Sequence, residues 1–198
     1  MVKRNKNFSF NHLYKKACHI SVWWLAGWFA LIVLGMIGGG CSTHRKTVKQ
    51  KFTHSEELKI EKDEVEARLK GDVKKVLEEA FEWLDTPYAF GRQDKGLATD
   101  CSGLVMVVFE KTIGCKLPRN SAKQAEFCET VKQKDVKPGD LVFFITNNGD
   151  KINHVGIMID KEKFIHASSR GVVVSSMESD YYRTHMQKFG RVPCLEHN

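Results

Sequence analysis

No acidic residue occurs before Cys41, and neither C-x-x-C nor H-E-x-x-H spacing occurs anywhere in the 198 residues. The second absence removes the usual sequence support for a zinc centre, although cysteine and histidine are legitimate zinc ligands. Internal repeats and low-complexity blocks are also missing, which excludes a repeat architecture. Unbalanced charge is scarce where it would matter. The net charge is +7, but Lys3, Arg4, Lys6, Lys15 and Lys16 all precede Cys41 and leave 26 basic against 24 acidic residues after it. From Asp72 onward the count is 18 basic and 18 acidic residues. A balanced region has no electrostatic footprint for a polyanion, so nucleic acid is not an expected partner.

What the amino terminus does contain is a basic flank followed by an uncharged apolar stretch from Ile20 to Ile37. That pattern is an export signal. Gly38-Gly39-Gly40-Cys41-Ser42 follows, and small residues leading into a cysteine resemble a bacterial lipoprotein cleavage site, with Cys41 as the lipidated first residue. An uncleaved membrane anchor is the competing reading, because the stretch approaches the ~20 residues that span a bilayer. In either case the basic flank stays cytoplasmic and the remainder is exported. Residues 1–40 are therefore expected to be a lipoprotein-type signal peptide or anchor, 41–71 a tether and charged linker, and 72–198 the folded domain. The expected location is the cell envelope, lipid-anchored and facing the periplasm or exterior.

Within the exported part, Glu56 to Lys70 is densely charged and reads as a solvated helix or a frayed linker. Val73, Val76, Leu77, Ala80, Phe81 and Leu84 then recur at helical spacing, and Thr86-Pro87 ends that helix. A second helix is expected over Leu104 to Lys111, with Cys101 at its N-terminus and Gly114 capping its end, and Ser121-Ala122-Lys123-Gln124 reads as the capping box of a short third. The chain then changes period. Leu141 to Ile145, His154 to Ile159, Phe164 to Ala167 and Val172 to Ser175 read as strands, with Asn148-Gly149 as a hairpin signal between the first two. Helices followed by consecutive short strands predict an α+β domain in which the Cys101 helix packs on an antiparallel sheet.

Cys101 opens a nearly all-apolar segment. A cysteine in such a stretch is usually a small core residue. Two further features favour a reactive thiol: it sits at a helix start between Asp100 and Ser102, and two later strands each carry a histidine, His154 and His166. Unpaired N–H groups and the helix dipole at such a site can lower a cysteine pKa from about 8.5 into the ~3.5–7.5 range. One histidine can serve as base and the other as its orienter. If Cys101 stays a thiol, and Cys18 and Cys41 belong to the export segment, then Cys115, Cys128 and Cys194 can form at most one bridge and leave one unpaired.

These runs resemble the NlpC-type cell-wall cysteine peptidases. The resemblance extends over Val73 to Cys194 and rests on Pro87-Tyr88-Ala89-Phe90-Gly91, Asp100-Cys101-Ser102-Gly103, Leu117-Pro118-Arg119-Asn120-Ser121, Lys137-Pro138-Gly139-Asp140, His154-Val155-Gly156-Ile157 and His166-Ala167. Arg92 and Asn120 depart from the residues common there. The resemblance implies a papain-like fold, Cys101 as nucleophile, His154 as general base and His166 as the residue orienting it. It also implies Tyr88 beside the nucleophile as an oxyanion donor, and Asp100 and Ser102 as substrate contacts or helix caps. Peptidoglycan stem peptides are the implied substrate and partner, and neither cofactor nor metal is implied. The rival readings are a catalytically silent wall-binding scaffold lipoprotein, a metal site built from Cys101, His154 and His166, and an acyltransferase using the same thiol.

Overall fold

The computed structural model describes residues 54–197, Asn148 excepted. The export segment, Cys41 and the tether to Gln50 lie outside them. Chain order is α1 (His54–Arg68), α2 (Gly71–Phe81), the short pair β1 (Gln93–Asp94) and β2 (Ala98–Thr99), α3 (Cys101–Ile113), α4 (Ser121–Phe127), β3 (Glu129–Val131), β4 (Leu141–Phe144), β5 (His154–Met158), β6 (Lys163–Ser168), β7 (Gly171–Ser176), α5 (Asp180–His185) and β8 (Met186–Arg191). The main sheet has the order β3-β8-β4-β5-β6-β7, with antiparallel neighbours throughout. This is the expected α+β architecture, and α3 packs on β5 and β6.

Each sheet face buries its own apolar set. On one face Leu141, Phe143, Val155, Ile157, Ile165 and Val172 meet the buried stripes of α2 and α3. The other face carries Val142, Phe144, Met158, Phe164 and Phe189. The alternation follows from the period of two along each strand. Burial of Val73, Val76, Leu77, Ala80 and Phe81 in α2 matches the spacing read from the sequence. The charged stretch before it is the helix α1, whose Val65 is buried in the same core and whose Glu61 pairs with Lys163 of β6 at 3.2 Å.

Three local features differ from expectation. The cap of α4 is Asn120, whose side chain accepts from the Lys123 N–H at 2.9 Å, while Ser121 is already the first helical residue. In place of a two-residue hairpin, a longer loop, 145–153, joins β4 to β5. Asn153 closes it by accepting from the Thr146 N–H at 2.8 Å and donating to the Thr146 carbonyl at 2.8 Å. Finally, β8 inserts between β3 and β4, and Met186-Gln187-Lys188-Phe189-Gly190-Arg191 carries too little apolar alternation to announce a central strand. Its place is set by partners distant in sequence: Phe189 joins the second core, and Arg191 donates twice to the fully buried Asp140 at 2.8 Å.

Cys115 and Cys194 form a disulfide, leaving Cys101 and Cys128 as the free cysteines among the described residues. The bridge ties the end of α3 to the carboxyl-terminal tail across 79 residues. Closing a loop of that length removes enough unfolded-state freedom to stabilise the fold by about 4 kcal/mol. Reduction, or a Cys115→Ala/Cys194→Ala variant, is expected to lower Tm by about 10 °C or more in thermal melts. An unchanged Tm under reducing conditions would count against that role.

Candidate active site

Asp100 organises the start of α3. It has extended backbone geometry, and its side chain accepts from the Gly103 N–H at 2.7 Å, the standard arrangement of an N-cap. The same carboxylate accepts from the Gly91 N–H at 2.7 Å, from both terminal nitrogens of Arg119 at 2.9 and 2.8 Å, and from the Ser102 hydroxyl at 3.2 Å. Ser102 in turn accepts from Arg119 at 3.1 Å. Burial by itself raises the Asp100 pKa, but the hydrogen bonds from Arg119 and from the Gly103 and Gly91 N–H groups outweigh it and hold the carboxyl below its ordinary value. Asp100 displays the capping role, whereas the Ser102 side chain caps nothing and bonds only to Asp100 and Arg119; both side chains are buried and both line a cavity beside the thiol. Gly103 is also required here, because a Cβ at this position would lie 2.5 Å from the Arg92 carbonyl.

Cys101, next in the chain, is 6% exposed. Its Sγ lies 3.9 Å from the Asn153 carbonyl oxygen and accepts from the Val155 N–H, so it rests against the backbone on both sides of His154. Its electrostatics differ from the sequence expectation. Burial pushes the thiol up to about 11, Asp100 adds to the rise, and the N–H groups of Val155, Ser102 and Cys101 offset only part of it. A helix start favours a thiolate, but desolvation by burial is the larger effect.

His154 begins β5, and its Nε2 lies 2.7 Å from Nδ1 of His166 on β6. His166 is 1% exposed, and its Nε2 meets the Ser175 hydroxyl at 2.9 Å and the Tyr182 hydroxyl at 3.2 Å. Burial lowers His154 to about 4, and burial, then His154 and Arg170, lower His166 well below 6.5. Both imidazoles are therefore neutral at pH 7, and with His154 Nε2 engaged, Nδ1 is the nitrogen left for a proton from elsewhere. Stability follows from these directions. The unfolded chain protonates its histidines near pH 6.5 while the folded one does not, so stability falls with pH from about 6.5 toward 4, by at most about 1.4 kcal/mol per pH unit per histidine. Melting from pH 7 to 4.5 is expected to show this slope, reduced in His166→Gln; equal slopes would refute the assignment.

Two cavities lie in the site, one on the histidine side and one on the thiol side. One, of about 470 Å³, is lined by Thr146, His154, His166, Tyr181 and Tyr182. The other, of about 300 Å³, is lined by Phe90, Cys101, Ser102, Asn120 and Lys151. Tyr88 and Asn153 border both. Burial is the largest cause, followed by the electrostatic influence of Cys101 and Asp100, and together they raise the Tyr88 phenol, which keeps it a proton donor beside the cleft. The structure thus gathers Cys101, His154, His166, Tyr88, Asp100 and Ser102, while Cys41 lies outside the described residues. Arg119 and Asn153 also shape the site. Arg119 lies in the run Leu117-Pro118-Arg119-Asn120-Ser121, which does not by itself point to the nucleophile, and Asn153 has no sequence signal of its own. Among the described residues no three His, Cys, Asp or Glu side chains converge as metal ligands.

A cysteine at a helix start, set against a histidine pair on an antiparallel sheet, defines a papain-like domain. Residues 85–191 match the NlpC/P60 family model, and the chain belongs to that family. A Haemophilus influenzae protein named "Probable endopeptidase" is 42% identical over 106 residues, covering 53% of this chain and 65% of that one. The Escherichia coli protein "Probable endopeptidase NlpC" is 37% identical over 111 residues, covering 56% and 71% respectively. Among solved structures, a Staphylococcus aureus protein described as similar to lipoprotein, NLP/P60 family, aligns with a TM-score of 0.58 and 31% identity, over 64% of this chain and 42% of that chain. The chain therefore spans less than two thirds of the Haemophilus relative and less than half of the staphylococcal one.

Proposed function

We propose that the protein is an exported, membrane-anchored cysteine peptidase that hydrolyses amide bonds in peptidoglycan stem peptides or their cross-links. The observation that carries this reading is the seating of the Cys101 sulfur between the backbones of Asn153 and Val155, with the His154–His166 pair at 2.7 Å. His154 Nδ1 takes the thiol proton as sulfur attacks the amide carbonyl, and the resulting imidazolium protonates the departing amine. Water then attacks the thioester, giving its proton to His154, and the regenerated thiolate recovers it. The Cys101 N–H and the Tyr88 hydroxyl are the donors for the oxyanion. Because the free thiol is pushed to about 11 and the imidazole to about 4, the resting pair is neutral and proton transfer accompanies attack.

The apolar segment 20–37 and Cys41 support export and lipid anchoring at the cell envelope, where the wall polymer is found, and the Cys115–Cys194 bridge suits an oxidising compartment. Labelled palmitate incorporated by the parent chain and lost in Cys41→Ala would support the lipid anchor; equal labelling would remove it. The activity is tested by digesting purified peptidoglycan and defined stem peptides with the full chain in detergent, beside Cys101→Ala. Fragments made only by the parent, identified by mass, support the peptidase and name the bond. If both proteins bind wall material and neither releases fragments, the silent scaffold replaces it. Products carrying an added amine would point to acyl transfer.

A further inference from the structure

We infer that Ser175 and Tyr182 form a hydroxyl pair that sets the tautomer of His166, and through it the base form of His154, making both of them positioning residues of the reaction. The inference rests on the peptidase reading for its kinetic consequence and on geometry alone for its structural part.

To accept the thiol proton, neutral His154 must leave Nδ1 bare and carry its hydrogen on Nε2. That nitrogen is 2.7 Å from His166 Nδ1, which must then be the acceptor. Neutral His166 is left with its hydrogen on Nε2. A ring N–H at a residue 1% exposed needs a partner within the protein. Two oxygens stand there, Ser175 Oγ at 2.9 Å and Tyr182 Oη at 3.2 Å.

Hydroxyls can donate as well as accept, so one hydroxyl would be compatible with either tautomer. Two oxygens on one ring nitrogen are more selective. An N–H can be shared between two acceptors, whereas the single in-plane lone pair of a bare nitrogen suits only one donor. The paired arrangement therefore favours the protonated Nε2, the tautomer that His154 requires.

The two hydroxyls come from separate elements, β7 and α5, and α5 also contributes Tyr181 to the larger cavity. Ser175 lies on β7, opposite Phe164 in the register and so diagonal to His166 on the same sheet face. Tyr182 lies on α5 and is held by edge-on ring contacts to Phe164 at 4.9 Å and His166 at 5.3 Å. Its ring also borders the 470 Å³ cavity, which places one member of the pair at the wall of the cleft. Neither residue carries a sequence signal of its own, Ser175 being only the end of an expected strand.

The test has two arms on the full chain in detergent. In the first, ring ¹⁵N–¹H NMR of the parent is expected to show His166 protonated at Nε2 and bare at Nδ1; a hydrogen on Nδ1 overturns the inference whether or not the protein hydrolyses anything. The second arm measures turnover of a cleaved stem peptide. Ser175→Ala and Tyr182→Phe are each expected to lower kcat about tenfold with KM unchanged, and Ser175→Thr, which keeps the hydroxyl, to restore it. The double variant Ser175→Ala/Tyr182→Phe is expected to show a mixed His166 tautomer. A double variant with parental kcat and the parental tautomer overturns the inference. Tyr182→Phe keeps the ring packing, so at least one variant reads the hydroxyl apart from the fold. A parent that cleaves no peptide refutes the peptidase reading while the NMR arm still decides the tautomer.

Discussion

Cys101→Ala and His154→Ala are each expected to lower kcat on a cleavable stem peptide by about 10⁴-fold or more, and the double variant to lose no more than either alone. The reason is the neutral resting state. With the thiol near 11 and the imidazole near 4, almost no thiolate exists in the free protein, so sulfur is a poor nucleophile without the base and the base has no proton to move without the sulfur. Groups that act as one unit show non-additive losses. Single-turnover rates for the three variants make the measurement. Losses that multiply would show that the two side chains act independently, and the mechanism would have to be abandoned. The same neutrality predicts slow alkylation of Cys101 by iodoacetamide at pH 7, rising toward pH 11 in the absence of substrate.

The second large effect belongs to Asp100, 4% exposed and engaged by Gly91, Gly103, Ser102 and Arg119. Asp100→Ala removes the cap of α3 and leaves two N–H groups without their acceptor, a loss of about 2–4 kcal/mol. The Arg119 side chain is 38% exposed and can rehydrate, which keeps the cost below that of an ion pair broken in a dry interior. Activity is expected to fall with stability, because Cys101 is the next residue and its first helical turn depends on that anchor. Asp100→Asn retains an oxygen for the cap while losing the ion pair, and is expected to recover roughly half of the stability. Thermal melts beside KM separate this account from a substrate contact. A raised KM at parental Tm in Asp100→Asn would move Asp100 from the scaffold to the substrate.

The periodic apolar positions of α2, the cysteine heading an apolar helix and the histidines on adjacent strands could all be read in advance, because each is a local pattern. Such patterns carry secondary structure, and consecutive helices and strands carry the fold class. The strand β8 has no such pattern, since Gln187, Lys188 and Gly190 have no strand signature of their own; pairing with β3 and β4, Phe189 in the second core, Lys188 on the Ala125 carbonyl and Arg191 on Asp140 hold that segment in the sheet. The sequence pattern also placed the α4 cap one residue late, at Ser121, because Asn120 and Ser121 are both capping residue types and only backbone geometry separates them.

By itself, then, the sequence determined the α+β order of elements, the helix headed by Cys101 and the two histidines on adjacent strands. Tertiary structure alone decided the pairing of Cys115 with Cys194, the commitment of the Asp100 carboxylate to Arg119, and the presence of Ser175 and Tyr182 behind His166. It also decided the sign of the Cys101 shift. A helix start is written in the chain near the residue, whereas burial is decided by how distant segments pack over it, and here burial is the larger contribution.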